Sequence, residues 1–441
     1  MNKNFVWKFL RKTASINFSI AILLIITFFC ILGSVIEQDK AFSYYSSKYP
    51  NYDLLIKLLG LDHVFRTWWF IMVLTIFIFS LLLCTFSTQL PSLKNARRWK
   101  FMYNQRPSNT NRYYLGDTYN SQYSFTNIVY SLIRLNFFVF YRNNSIYSYK
   151  GLYGRIAPIF VHFSIVIILL GSVFSSFTSF VVQEMVPRGE IFHLKNIIHA
   201  GFYSHLSSDT FFRVNDFLID YNSSGLIDQF FSSLSVYFDN KLSLNNKTIS
   251  VNKPLIFHQI TLYQTDWQVD AIRVKLGISK LIQKKFIQTK ISGKSCWLST
   301  FSISDNNQVF FIVFDLDDNI LVSNTSGIVL GKVHLNEKFY INTTPVILKD
   351  MIVSTGLQVK VDPGIIFVYI GFFVMILSTF VSYISYSQIW IYDALNSLEC
   401  LGSTNRASLF FEQDINYLNK IYSYYLFFMF NPITKVDQIL T

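Results

Sequence analysis

The chain has 441 residues, of which 51% are hydrophobic and only 15% charged, and it carries 45 Phe, a balance that excludes an ordinary soluble enzyme. Its net charge of +12 would suit a nucleic-acid partner, but +4 falls in residues 1–16 and +9 in residues 91–155, while residues 37–66 balance at zero. Basic excess confined to segments beside long apolar runs is a topology signal and not an RNA-binding face.

Four runs lack any charged residue: Thr13 to Ile36, Thr67 to Ser92, Ile156 to Gln183 and Pro363 to Tyr392. Each exceeds the roughly 20 apolar residues that cross about 30 Å of hydrocarbon. The expected fold is therefore a membrane protein with four transmembrane helices and a large β-rich extramembrane domain between helices three and four. The first run has no small-residue cleavage site and reads as an anchor, not a signal peptide. The positive-inside rule places residues 1–12 and the basic loop 93–155 on the synthesis side. The short loop 37–66 and the domain 184–362 then lie on the translocated side, and the tail 393–441 returns to the side of the N-terminus. Charges inside the four spans are missing, which argues against an ion pump or a proton-coupled carrier.

Residues 184–362 read as strands. Val309-Phe310-Phe311-Ile312-Val313-Phe314 and Ile328-Val329-Leu330 are β-branched and aromatic, and clusters such as Asn324-Thr325-Ser326-Gly327 punctuate them. Val251 to Leu255 and Leu262 to Trp267 read as strand, turn and strand. Gln283 to Lys294 is polar and basic and reads as a loop. The aromatic tail stretch Ile415 to Phe430 is expected to lie along the membrane surface. The four cysteines, Cys30, Cys84, Cys296 and Cys400, are far apart, form no CxxC and read as buried filler.

Of the seven histidines, His162 stands apart because it sits inside the third apolar run, six residues beyond Ile156 and so about 9 Å into that helix. An ionisable group in hydrocarbon faces protein or ligand. A neutral imidazole is suited to ligate haem iron; packing against a neighbouring Ser or backbone carbonyl is the simpler reading of the residues alone. Pro158, one turn earlier, cannot donate to the Gly154 carbonyl and suggests a local bend. His63 lies beside Trp68 and Trp69, where an interfacial role and a ligand role both remain open. His193, His199 and His205 recur every six residues, a spacing that fits neither one helical face nor a zinc pattern. There is no Walker A, dinucleotide glycine fingerprint, GxSxG or HExxH.

Several stretches, in order along nearly the whole chain, resemble the ResB/CcsB-type family of system II cytochrome c biogenesis proteins in its plastid and cyanobacterial form. They are Gly33-Ser34-Val35-Ile36-Glu37-Gln38, Gly60-Leu61-Asp62-His63-Val64-Phe65-Arg66-Thr67-Trp68-Trp69, Cys84-Thr85 with Gln89-Leu90-Pro91, Gly154-Arg155 with Pro158 and His162, Tyr263-Gln264-Thr265-Asp266-Trp267, and Asp362-Pro363-Gly364 with Ser387-Gln388-Ile389-Trp390. The chain departs from that pattern at Ile256-Phe257-His258-Gln259, where relatives often carry Arg and Gly, and at Tyr386, where they tend to carry His.

The resemblance implies haem as a transient cofactor, with His162 as its iron ligand and His63 and His258 as undecided contributors. It also implies a CcsA/ResC-type membrane partner with a tryptophan-rich segment, and apocytochromes c as clients. This chain lacks such a segment, so it would be the accessory half of a cytochrome c haem lyase complex, not catalytic alone. The rival expectation is a structural assembly factor that never handles haem. Motif style, and an abundance of Asn, Lys, Ile, Phe and Tyr that suggests an AT-rich genome, place it in a plastid (chloroplast) thylakoid membrane, or otherwise in a bacterial inner or thylakoid membrane.

Overall fold

The structure, a computed structural model, describes residues 3–40, 42–101, 111–114, 124–205, 209–223, 226–277, 281–291, 294–304, 307–316, 319–341, 344–394 and 397–430. Parts of the basic loop and the end of the tail lie outside the described residues. The chain divides into two compact units, residues 1–173 with 366–441, and residues 174–365.

Among the described residues, four helices are long and apolar enough to cross a membrane: Ile16–Val35, Trp68–Ala96, Tyr153–Thr178 and Ile365–Ser382. In the first unit, spans one to three meet through Ile22, Phe77, Ile78, Leu81 and Val166. Polar groups add to this seam: the Ser19 and Ser80 hydroxyls lie 2.8 Å apart, and Ser80 donates to the Thr13 carbonyl. With no solvent to expel in lipid, such contacts depend on close packing and shared hydrogen bonds. Spans three and four approach at two glycines. A Cβ on Gly371 would lie 2.5 Å from Ile168 Cγ1, and one on Gly171 would lie 3.0 Å from Phe367 Cβ. The segment between spans one and two folds back on itself. The Gln38 amide donates to the carbonyls of Ile36 and Leu61 and accepts from the Val64 N–H.

The spans are shorter than two of the uncharged runs. The third ends at Thr178 and strand begins at Phe180; the fourth ends at Ser382, and Ser387–Ala394 is strand. Absence of charge marks both runs, but Phe180, Val182, Ile389 and Ile391 are buried in sheets and apolar for that reason.

The basic loop and the tail, read above as separate segments, fold together. Strands Asn111–Tyr114, Ser397–Thr404, Ser387–Ala394, Ser145–Lys150 and Phe138–Arg142 form, in that order, one antiparallel sheet. Helices Phe125–Arg134 and Ser408–Phe430 cover one face through Ile128, Leu132, Phe411, Ile415, Leu418 and Tyr422, which pack on Ile146, Ile389, Ile391 and Cys400. The tail helix thus covers this sheet with one face, while Leu409, Phe410, Tyr417, Tyr424 and Phe427 are exposed. Its periodicity of buried residues at 411, 415, 418 and 422 is that of one helical stripe.

The second unit is a large β-rich domain of antiparallel sheets. Ile260–Leu276 and Thr344–Val361 pair along their lengths, with register shifts at Gln264/Asp266, Val269/Ala271 and Arg273/Val274. They belong to a seven-stranded sheet, beside which stand a five-stranded and a four-stranded sheet. One core gathers around Ile272, Trp297, Phe311 and Val346, and another around Phe180, Phe212, Leu234 and Leu262. Gln283 to Lys294 is not a loop: Leu281–Lys285 pairs with Ala271–Lys275 and Ile287–Ile291 with Lys294–Leu298. Its polar residues occupy strands whose side chains are largely exposed, while Phe286 between them is buried. The turn expected between Leu255 and Leu262 is present, and the strand before it starts later than read: Leu255–Phe257 pairs with Ile260–Leu262 across His258-Gln259, with His258 at φ 52°.

Candidate functional site between spans two and three

Helix geometry changes at the end of span two. Trp68–Cys84 is α-helical, Thr85–Gln89 is a π turn, and Leu90–Ala96 resumes the α-helix. The Leu90 N–H bonds the Thr85 carbonyl, five residues back. Pro91 supplies the local cause, because it has no N–H to give and its ring crowds the carbonyl of the residue four before it. An extra residue in the turn relieves that conflict, and such π turns recur at functional sites.

The π turn presents Thr85 and Gln89 to His162 of span three. Thr85 Oγ1 lies 3.2 Å from His162 Nδ1, and Gln89 Nε2 lies 3.0 Å from His162 Nε2. The Thr85 hydroxyl donates its own proton to the Leu81 carbonyl at 2.8 Å. It therefore accepts from the imidazole, which puts the ring proton on Nδ1 and the lone pair on Nε2. A histidine held at one nitrogen by a donor chain, with its other lone pair presented, is the arrangement of a metal-ligating imidazole with its outer support. The Gln89 amide now occupies that lone pair. Its own Oε1 is buried with no hydrogen-bond partner, a sign that this side chain is not in its best-satisfied position.

His162 lies nine residues inside a helix that begins at Tyr153, so the ring is about 14 Å along it, deeper than the charge boundary at Ile156 implied. Pro158 is accommodated within that helix.

The other histidines do not join it. His63 precedes span two at Trp68, so the 17 residues of Trp68–Cys84, about 25 Å of helix, separate it from the π turn. Its Nδ1 lies 2.8 Å from its own neighbour Asp62. His258 belongs to the β-rich unit, against the rings of Phe257 and Phe238. His199 is on strand Ile197–Ala200, and His193 packs on Phe211. Among the described residues no group of three or more His, Cys, Asp or Glu is placed to hold a metal ion. Thr85 and Gln89 were not singled out as functional from the sequence. The available signal was two polar side chains four residues apart, just before a proline, inside an apolar run.

The family model for ResB-like proteins matches residues 16–343 and 317–416. This chain belongs to the ResB-like family. It is 41% identical over 433 residues to the cytochrome c biogenesis protein Ccs1 of Gracilaria tenuistipitata var. liui, covering 96% of this chain and 99% of that one. It is 39% identical over 424 residues to the cytochrome c biogenesis protein CcsB of Nostoc sp., covering 92% and 91%. A solved structure named Cytochrome c Heme Lyase CcmF overlaps 52% of this ResB-like chain and 25% of its own at 11% identity. Its TM-score of 0.20 supports no conclusion about fold.

Proposed function

We propose that this chain acts in the biogenesis of c-type cytochromes as a subunit of a membrane complex that delivers haem and attaches it to apocytochromes. Family membership and the naming of relatives aligned over nearly the whole chain support the pathway. One observation carries the haem assignment: a single imidazole between spans two and three, with its proton on Nδ1 and its Nε2 lone pair capped by a displaceable amide. Haem is cargo here, and His162 is the residue that would hold its iron. On this reading the β-rich domain stands between the third and fourth spans on the translocated side, where it would meet apocytochrome. The sheet built from the basic loop and the tail then lies on the synthesis side. The partner would be a CcsA/ResC-type membrane protein and the membrane a plastid thylakoid.

The engaged nitrogens of His162 favour one alternative, in which the imidazole ties two spans of an assembly scaffold and never meets iron. Absorption spectra of the chain purified with its membrane partner separate the two. Loss of bound haem or of its ligation signature in His162→Ala supports delivery; unchanged haem content and spectrum support the scaffold. Haem staining of c-type cytochromes in a deletion strain tests the pathway itself, and normal levels there would refute it.

A further inference from the structure

An open cleft of about 360 Å³ lies beside the π turn, lined by Ser87, Thr88, Ser92 and Asn95 from span two and its continuation, by Lys100, and by Arg155. It contains two cations and no carboxylate. Among the described residues neither Lys100 nor Arg155 makes an ion pair, and Arg155 Nε is buried with no acceptor. A guanidinium N–H withdrawn from water and left unpaired is costly, and an oxyanion satisfies it best. The guanidinium is held in place: it lies 5.2 Å from the centre of the Tyr386 ring. Tyr386 donates to the Ala96 carbonyl at 2.9 Å and accepts from Gln388 at 2.7 Å. Burial pushes the Tyr386 phenol well above its ordinary range, so it stays neutral and offers Arg155 no countercharge. Gly154, the residue before Arg155, lies against backbone, because a Cβ there would run into the Ile384 carbonyl oxygen.

Arg155 and His162 are seven residues apart on one helix. Seven residues are close to two full turns, so both side chains leave the same face about 10 Å apart. The π turn borders both places, since Gln89 bonds His162 while Ser87 and Thr88 line the cleft.

We propose that this cleft is an oxyanion site that takes the carboxylates of the iron porphyrin whose iron meets His162. The inference rests on the haem reading of His162 and adds the group that orients the ring: Arg155 and Lys100 fix which edge enters. An anionic lipid headgroup offers related oxyanion chemistry, and the test separates the two.

The full chain, in nanodiscs of phosphatidylcholine alone, is titrated with iron protoporphyrin and with its dimethyl ester, which lacks the charged arms. The wild type is expected to bind the free acid about tenfold more tightly than the ester. Arg155→Gln and Lys100→Gln are each expected to shrink that preference to about threefold or less, with the Soret position unchanged because His162 is intact, and Arg155→Lys to restore part of it. Equal binding of acid and ester by the wild type, or a preference that survives both Gln substitutions, overturns the proposal while leaving His162 as a ligand. Failure of the wild type to bind either porphyrin removes the haem reading and this inference together. Phosphatidylglycerol retained by the wild type and lost in Arg155→Gln, with porphyrin preference unaltered, assigns the cleft to a lipid and overturns the proposal.

Discussion

Replacing Gln89 by Ala has opposite expected effects on stability and on haem affinity. In the structure the Gln89 amide donates to His162 Nε2 at 3.0 Å, and iron can reach that nitrogen only after the amide leaves. A hydrogen bond of this kind contributes about 1 kcal/mol net, so its removal lowers the cost of ligation by that amount, or about fivefold in affinity. The unliganded protein loses less than the full bond, because truncation also deletes the buried, unpartnered Oε1. Thr85→Val has the other sign. It removes the acceptor for the Nδ1 proton, and loss of such an outer partner weakens a metal–histidine bond by about tenfold or more. Haem titrations of the purified full chain, followed at the Soret band, read both effects in one series. A Gln89→Ala protein that binds haem more weakly than the wild type, or a Thr85→Val protein that binds it as tightly, refutes the gate-and-support reading of these residues.

Gly371→Val is expected to cost about 1–3 kcal/mol by forcing apart spans three and four, since even a Cβ would come within 2.5 Å of Ile168, and reduced membrane accumulation by immunoblot checks it. Gly154→Ala should be at least as damaging, because the obstacle is the Ile384 carbonyl, backbone that cannot rotate away; thermal aggregation of the detergent-solubilised protein measures the loss. Burial pushes the Cys400 thiol from 9.0 up to about 12. Its folded form therefore keeps its proton where the unfolded chain loses it, so the contribution to stability is complete below about pH 9 and is lost progressively as pH rises toward 12. Iodoacetamide should accordingly leave Cys400 unlabelled at pH 9 until denaturant is added, as peptide mass mapping would show.

The four spans were legible in the amino-acid order because crossing hydrocarbon is a local requirement: a run must satisfy it by its own length and lack of charge. The β-rich unit was legible for a similar reason, since alternating β-branched and aromatic residues between turn clusters report a half-buried strand without reference to a partner. His162 stood out because a lone imidazole among Val161, Phe163 and Ile165 violates the local pattern. What surrounds His162 was not legible. That Thr85 and Gln89 meet it depends on the extra residue of the π turn, and that turn depends on how span two packs on span three. The sheet made from strands Asn111–Tyr114, Phe138–Arg142, Ser145–Lys150, Ser387–Ala394 and Ser397–Thr404 was equally hidden. Its strands lie more than two hundred residues apart, and each half alone is a short, partly polar segment beside a span. Only their pairing across that distance shows why Ile146, Ile389 and Cys400 are apolar, and only the backbone contact of Gly154 with Ile384 brings Arg155 to Tyr386. Composition and periodicity report what each segment must bury; which surface buries it is decided by long-range contacts, whose free energy exists only once the chain has closed on itself.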